Sequence, residues 1–188
     1  MSETVTWVDQ LLGFWFGELT YQQWFKRDDA VDAMIVARFS DVYDQVAASP
    51  LPDLKVGSPP GPREVLALII ALDQLPRNLH RGTPRAFATD AKALDLSRRA
   101  IAVGMDIGLS AHERMFLYLP FEHSETLADQ STSVRLFAAV GDAELMRFAE
   151  RHREIIARFG RFPHRNVILS RVSTAAEVAF LQEPDSSF

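Results

Sequence analysis

Apolar residues recur along this chain at helical spacing, and convincing strand alternation is missing. One stripe runs through Val31, Ile35, Phe39, Val42 and Val46, close to the 3.6-residue period of an α-helix. That period gathers the apolar side chains on one face, which packs against a core. The sequence therefore predicts an all-α fold of about eight or nine helices in stacked antiparallel pairs.

Capping residues mark where several of these helices begin. The patterns TYQQ, SAHE and TAAE open at Thr20, Ser110 and Thr174 and fit the capping box. In that motif a hydroxyl and a side chain three residues later satisfy the first backbone amides. Asp90 and Asp142 are suited to accept amide hydrogen bonds at two further helix starts. These signals predict short connections between successive helices.

Proline and glycine interrupt the pattern. Residues 49–62 hold five of the ten prolines and two of the nine glycines, and they are predicted to form a loop. Pro62 suits the first turn of the next helix, over residues 65–75, which is apolar on all sides and is expected to be buried. Pro76 is predicted to stop that helix, and Pro120 to interrupt a later one.

Composition and charge are those of an ordinary globular protein. With 188 residues, 47% hydrophobic and 24% charged, the chain can bury one sizeable core, and residues 1–188 are predicted to form a single helical domain. The net charge of −5 argues against a general nucleic-acid binder. The absence of cysteine excludes disulfides, thiolate zinc sites and cysteine nucleophiles.

Export and membrane insertion are not expected. The start, MSETVTWVDQ, has no Lys or Arg and carries an acid at its third position, unlike a secretory signal. The longest apolar run, residues 65–72, is too short to span a bilayer and is typical of a core helix. We therefore expect a cytoplasmic protein with no membrane partner.

Charged and amide side chains crowd residues 72–90, directly after the buried run. Asp73 and Arg77 are four apart and would share one helix face. Arginine forks of this kind bind carboxylate or phosphate, but the glycines of a P-loop or a dinucleotide-binding motif are missing. In the structural alternative, Asp73 only anchors Arg77, while Asn78 and Arg81 tie the loop to helix-end carbonyls. The candidate ligand-binding residues here are Asp73, Arg77, Asn78, Arg81 and Arg85.

A second basic stretch lies at residues 151–165, where five arginines stand against a single acid, Glu154. A solvated helix face is the structural alternative. A loop marked by Gly160 and Pro163 favours binding, because rigid scaffolds often display ligand-binding groups on loops. An anion is the natural partner of such a loop. The candidate ligand-binding residues here are Arg161, Arg165 and Asn166, with His164 beside them.

The segment FEHSE, residues 121–125, places Glu122 and Glu125 at i, i+3, which could present two ligands or an acid–base pair on a helix. A metal would need His152 or His164 from elsewhere, and the pattern is not HExxH, so no metal and no cofactor is predicted. A hydrogen-bonded structural cluster is the alternative, and His152, on an apolar stripe, is expected in the core. The weak catalytic candidates are Glu122, His123, Glu125 and His164.

Six motifs spread over nearly the whole chain are FWFGEL, QWF, LDQLPRN, RGTPRAFATD, YLPFEHSE and RHREIIARFGRFPHRN. Together they resemble a largely bacterial family known as domain of unknown function 924. The resemblance implies an all-helical fold similar to the tetratricopeptide-like superfamily, and it implies no established activity, cofactor or catalytic residue. The chain departs from the family pattern at Leu75, where Phe is usual, and at Ser170, where Gly is usual.

Three functions fit these residues. The leading hypothesis is a binding protein whose Arg-lined groove holds a small anion or an acidic peptide. The alternative is a hydrolase or lyase on an anionic substrate, which would need a FEHSE glutamate, His123 or His164 at a cavity that also holds arginines. The third is an interaction scaffold whose charged motifs are structural, as a pairing of Glu125 with Arg161 would indicate. The sequence predicts no oligomeric state.

Overall fold

The structure is a computed structural model that describes residues 5–184, 186 and 187. The expectation of no secretory signal rests partly on residues 1–4, which lie outside the described residues. No strand is present in the described part of the chain, and the predicted all-α fold is confirmed. The helices are α1 (Trp7–Gly13), α2 (Tyr21–Phe25), α3 (Asp29–Ala48), α4 (Pro62–Asp73), α5 (Leu75–Leu79), α6 (Asp90–Ala102), α7 (Ala111–Glu122), α8 (Leu127–Val140), α9 (Ala143–Phe159) and α10 (Ala175–Phe180), with a π-helical turn at Phe14–Glu18 and 3-10 turns at Pro84–Phe87 and Pro163–Arg165.

The helix α4 lies at the centre of the fold. It packs against α1, α3, α5, α6 and α7. Val65, Leu66, Ile69 and Ile70 have no exposed surface, because neighbouring helices cover every face of α4. A helix enclosed in this way needs no polar stripe, as its continuous apolar run predicted. Within the described residues, no helix combines the length and the apolar character that a bilayer crossing requires.

The helices α7, α8 and α9 pack against one another in chain order. Gly141 ends α8 with a φ of 83°, a left-handed conformation that favours glycine. Asp142 then accepts the amides of Glu144 and Leu145, so it caps α9 as predicted. After α9, a smaller apolar group seats the C-terminal segment. Its members are Ile155, Ile156, Phe162 and Phe180.

Most of the predicted helix starts are confirmed, and one is wrong. All three predicted capping boxes are present. Asp90 is not a cap, however, because the N-cap of α6 is Thr89 and Asp90 is the first residue of the helix. The Thr89 hydroxyl donates to the Leu72 carbonyl and so ties the start of α6 to α4. The Asp90 carboxylate is therefore free to pair with charges on other elements.

The two prolines that were expected to break helices behave differently. Pro76 lies in the first turn of α5, where its missing N–H costs little, so α4 ends at Asp73 and α5 follows almost at once. Pro120 does not interrupt α7, contrary to prediction, because the helix continues through it to Glu122. A proline this close to a helix end disturbs only the last turns. Helix α7 therefore carries Glu122 to its final residue.

Candidate functional site

The stretches that the sequence singled out meet where the ends of α4, α5 and α7 approach the start of α6. Helix α9 and the 3-10 turn after it complete the site. We call this group the buried charged cluster. Its members are Asp73, Arg77, Asp90, Glu122, His123, His152, His164 and Arg165.

Asp73, the last residue of α4, has no exposed surface. Its Oδ1 lies 2.8 Å from His123 Nδ1, and its Oδ2 accepts a hydrogen bond of 2.6 Å from Gln74 Nε2. Arg77 Nη2 lies 3.9 Å from the same Oδ1. Burial opposes ionisation of Asp73, but His123, Arg77 and the hydrogen bond from Gln74 together outweigh it, so the pKa of this carboxyl lies below its usual range. A fixed anion therefore orients the His123 ring.

Asp90 bridges the two buried arginines. Its Oδ1 lies 2.8 Å from Arg77 Nη2, and its Oδ2 lies 3.4 Å from Arg165 Nη1. Burial raises the pKa of Asp90, while both guanidinium groups oppose that rise. Arg165 also donates to the His123 carbonyl at 3.1 Å. Burial lowers the pKa of Arg165 to about 10, so this side chain is still charged at neutral pH.

Phe87 lies against both arginines. The guanidinium carbons of Arg77 and Arg165 are each 4.7 Å from the centre of its ring. Arg165 is also 4.6 Å from the centre of the Phe162 ring. Arg77 donates a 2.6 Å hydrogen bond to the Ala86 carbonyl, next to Phe87 in the chain. Aromatic faces attract cations, so these rings hold both guanidinium groups in fixed positions.

Buried atoms of the two arginines and of Asp90 lack a hydrogen-bond partner among the described residues. They are Arg77 Nη2, Asp90 Oδ1 and Arg165 Nε. The first two are close enough to form an ion pair, at 2.8 Å, but they are not aligned as a hydrogen bond. A buried donor without an acceptor costs free energy, roughly 1–3 kcal/mol for each group. The two arginine nitrogens, Arg77 Nη2 and Arg165 Nε, are therefore suited to bind an acceptor that the described residues do not supply.

Three buried residues of the cluster are uncharged at pH 7, namely Glu122, His152 and His164. Burial, with the charge of Asp73, raises the pKa of Glu122 to about 8. Burial lowers the pKa of His152 to about 3, and burial with the charge of Arg165 lowers that of His164 to about 3. His152 Nδ1 lies 3.2 Å from Glu122 Oε1. In the part of the chain that the structure describes, no group of three or more metal-ligating side chains is placed to hold an ion.

Three predicted ligand-binding residues pair with α3 instead of joining the cluster. Asn78 Nδ2 donates to Asp32 at 2.7 Å, and Arg81 makes two hydrogen bonds of 2.9 Å to the same carboxylate. Arg85 lies 3.5 Å from Asp44, and both of these side chains are more than 60% exposed. The contacts made by Asn78 and Arg81 tie the loop after α5 to α3. They resemble the structural alternative, with carboxylate partners in place of helix-end carbonyls.

Two other candidates bind the C-terminal segment. Arg161 makes hydrogen bonds of 2.7 and 2.9 Å to Glu177, and Glu125 accepts bonds of 2.7 and 2.9 Å from Arg171. Glu125 also accepts the Phe162 amide at 2.8 Å. Glu125 and Arg161 therefore have different partners and do not pair with each other. Glu125 lies in the connection before α8, so it does not share a helix with the last residue of α7.

Asn166 belongs with these contacts. It is fully buried, its Nδ2 donates to Ser173 Oγ at 3.1 Å, and its Oδ1 accepts from Arg171 Nε at 3.0 Å. Arg171 in turn binds Glu125, so one network joins the α7–α8 connection to the segment after α9. We call this network the C-terminal clamp. Its members are Glu125, Arg161, Asn166, Arg171 and Glu177.

Sequence reasoning missed two members of the site. Asp90 was assigned to helix capping, because an aspartate before an apolar-periodic segment usually caps it. Phe87 lies in the motif RGTPRAFATD, yet nothing in its spacing distinguishes an aromatic that stacks on arginine from one that fills the core. His152 was expected to be a core residue, and it is buried beside Glu122.

Comparisons with known proteins identify relatives of this chain. A family model described as bacterial protein of unknown function (DUF924) matches residues 11–185. Among solved structures, a protein of unknown function from Agrobacterium tumefaciens is similar, with 38% sequence identity and a TM-score of 0.85. That match covers 93% of this chain and 96% of the other. No curated protein matches the chain.

Proposed function

The chain belongs to the DUF924 family of bacterial proteins of unknown function, and we propose that it binds a small anion through Arg77 and Arg165 of the buried charged cluster. One observation carries the proposal. Arg165 Nε and Arg77 Nη2 are buried N–H donors without a hydrogen-bond acceptor among the described residues. An oxyanion supplies the acceptor atoms that both nitrogens need.

The surroundings of these donors favour binding over a purely structural role. Phe87 and Phe162 fix the guanidinium planes, so little side-chain entropy is lost when a ligand arrives. Arg81 and Arg161, by contrast, each already make two hydrogen bonds to one carboxylate. These N–H groups of Arg81 and Arg161 therefore already have an acceptor, and the proposal does not involve either arginine.

A thermal-shift titration tests this proposal. Purified protein is titrated with acetate, phosphate, sulfate, nucleotides and sugar phosphates, and the titration is repeated on Arg165→Met and Arg85→Met. A ligand at about 100 times its dissociation constant adds roughly 2.7 kcal/mol to the free energy of unfolding. We expect at least one anion to raise the melting temperature of the wild type and of Arg85→Met, but not of a folded Arg165→Met.

Arg165→Lys separates charge from geometry. It keeps the positive charge and loses the planar fork, so it should bind the anion more weakly than the wild type and more strongly than Arg165→Met. If no anion stabilises the wild type, or if Arg165→Met responds like the wild type, the proposal is wrong. The arginines would then serve the fold, as expected of an interaction scaffold.

A hydrolase or lyase acting on the same anion is the second candidate. The pairing of His123 Nδ1 with the buried carboxylate of Asp73 favours it, because such a pair leaves Nε2 available as a general base. Whichever anion stabilises the protein is incubated with it and followed by NMR. Conversion by the wild type and its loss in His123→Gln would favour an enzyme. Recovery of the unchanged anion would favour a binding protein.

A further inference from the structure

We infer that Asp90 makes this site selective for oxyanions that carry an O–H group of their own, such as a hydroxy acid or a phosphate group that keeps a proton. This inference rests on the proposed function and adds the chemistry of the ligand at the same site. It follows from the kinds of buried polar atom that lack a hydrogen-bond partner there and from the distances between them.

The polar atoms without a hydrogen-bond partner are of two kinds. Arg77 Nη2 and Arg165 Nε are donors, whereas Asp90 Oδ1 is an acceptor. Acetate and sulfate offer acceptor oxygens only, so they satisfy the two nitrogens and leave Asp90 Oδ1 without a donor. A ligand that offers acceptor oxygens and an O–H group satisfies this oxygen as well. The site therefore matches an anion that also carries a hydrogen-bond donor.

Electrostatic repulsion favours the same class of ligand. Asp90 Oδ1 lies 2.8 Å from Arg77 Nη2, so an anionic oxygen that accepts from this nitrogen comes close to the Asp90 carboxylate. Two like-charged oxygens at short range repel each other, and the repulsion is stronger away from water. A proton between the two oxygens replaces this repulsion by a charge-assisted O–H···O hydrogen bond. Oxyanions without an O–H group are therefore disfavoured beside Asp90.

The position of Asp90 in the fold keeps Oδ1 beside the arginine donors. Asp90 is the first residue of α6, and the hydroxyl of Thr89 before it donates to the Leu72 carbonyl, which fixes the start of this helix on α4. The second oxygen of Asp90, Oδ2, lies 3.4 Å from Arg165 Nη1. Because the helix start and Oδ2 are both held, Oδ1 stays available to a ligand at the two arginines.

One small ligand can contact all of these groups from the surface side of the cluster. The side chains of Arg77 and Asp90 are each 20% exposed, whereas that of Arg165 is 8% exposed and lies deeper. The guanidinium carbons of both arginines lie 4.7 Å from the centre of the Phe87 ring, which keeps them close together. A ligand that enters beside Arg77 and Asp90 therefore meets the acceptor and one donor first and extends toward Arg165 Nε.

The binding of matched pairs of anions tests the inference. Acetate and glycolate carry one carboxylate each and differ by a hydroxyl group. Sulfate and phosphate are both largely dianions at about pH 8, and only phosphate keeps an O–H group there. Dissociation constants are obtained by NMR titration of the full-length protein at this pH. Because a hydrogen bond to a charged group is strong, we expect glycolate and phosphate to bind about tenfold or more tightly than acetate and sulfate, respectively.

Asp90→Asn shows whether Asp90 causes the preference. The amide keeps the shape of the side chain but loses the negative charge and one acceptor oxygen. Acetate and sulfate should therefore bind this variant more tightly than the wild type, and the preference within each pair should shrink. Asp95→Asn is the matched control, because Asp95 lies on the same helix, is 55% exposed and pairs with Arg99 at 3.6 Å. It should leave the dissociation constants unchanged.

The outcomes separate this inference from the proposed function. Failure of all four anions to bind the wild type overturns the proposed function. Binding of acetate as tightly as glycolate, together with binding of sulfate as tightly as phosphate, overturns the selectivity and leaves anion binding intact. A preference that persists unchanged in a folded Asp90→Asn overturns the role of Asp90. If this variant does not fold, the preference measured in the wild type decides the selectivity, since it needs no substitution.

The same titrations identify the source of the O–H group. A preference within the carboxylate pair alone assigns the ligand to the hydroxy acids. A preference within the pair of sulfate and phosphate alone assigns it to phosphate compounds. A preference within both pairs assigns the selectivity to the O–H group itself, whichever anion carries it.

Discussion

Glu122 is 5% exposed at the end of α7, and burial with the charge of Asp73 raises its pKa to about 8 from an ordinary value of 4.5. Between these two pH values the folded protein keeps a proton that the unfolded chain releases. The free energy of unfolding contributed by Glu122 therefore falls as the pH rises from about 4.5 to about 8. His152, with its pKa lowered by burial to about 3, adds stability as the pH rises toward the ordinary histidine value of 6.5.

Glu122→Gln should remove the part of the free energy of unfolding that falls with rising pH, because an amide stays uncharged throughout this pH range. The free energy of unfolding of the variant relative to the wild type should rise by up to about 1.4 kcal/mol per pH unit over this range. Urea unfolding at several pH values measures the difference. Glu150→Gln, which alters an exposed glutamate of α9, is the control and should parallel the wild type. A parallel curve for Glu122→Gln would show that the carboxyl ionises normally.

Among the helices and loops, the local signals were predictable and the long-range pairings were not. The capping boxes and the apolar stripe of α3 lie within a few residues, so spacing alone reveals them. The continuation of α7 through Pro120 depends on tertiary packing, which no local pattern encodes. Ser170 has a φ of 55°, a left-handed conformation that favours glycine.

The C-terminal clamp makes its own prediction. Glu125→Gln replaces one acceptor oxygen by an NH2 donor and removes the negative charge, so it breaks one of the two hydrogen bonds to Arg171 and weakens the other and the bond from the Phe162 amide. Since this pair is less than a third exposed, we expect a loss of about 1–3 kcal/mol in the free energy of unfolding, measured by urea denaturation. Asp29→Asn, in an exposed pair with Arg27, is the matched control and should change stability little. An equal loss in both variants would mean that the clamp does not hold the C-terminal segment.

For the whole molecule, the sequence indicated the fold class and the family, and it identified most members of the site without showing how they assemble. Arg77 and Arg165 are far apart in the chain and meet through Asp90. Arg81, Arg85 and Arg161 carry the same charge but pair elsewhere, and composition alone does not distinguish the two sets. The single domain, the cytoplasmic location and the tetratricopeptide-like assignment stay predictions.

The most direct test of the central claim follows the Nε–H proton of Arg165 during an acetate titration of 15N-labelled protein. Arg165→Lys identifies its NMR signal by removing it. If an anion binds through the buried charged cluster, this signal should move downfield in a saturable way as the nitrogen gains an acceptor, while the Arg85 signal stays in place. A signal from Arg165 that does not respond, while acetate perturbs Arg161 or Arg85, would contradict the account.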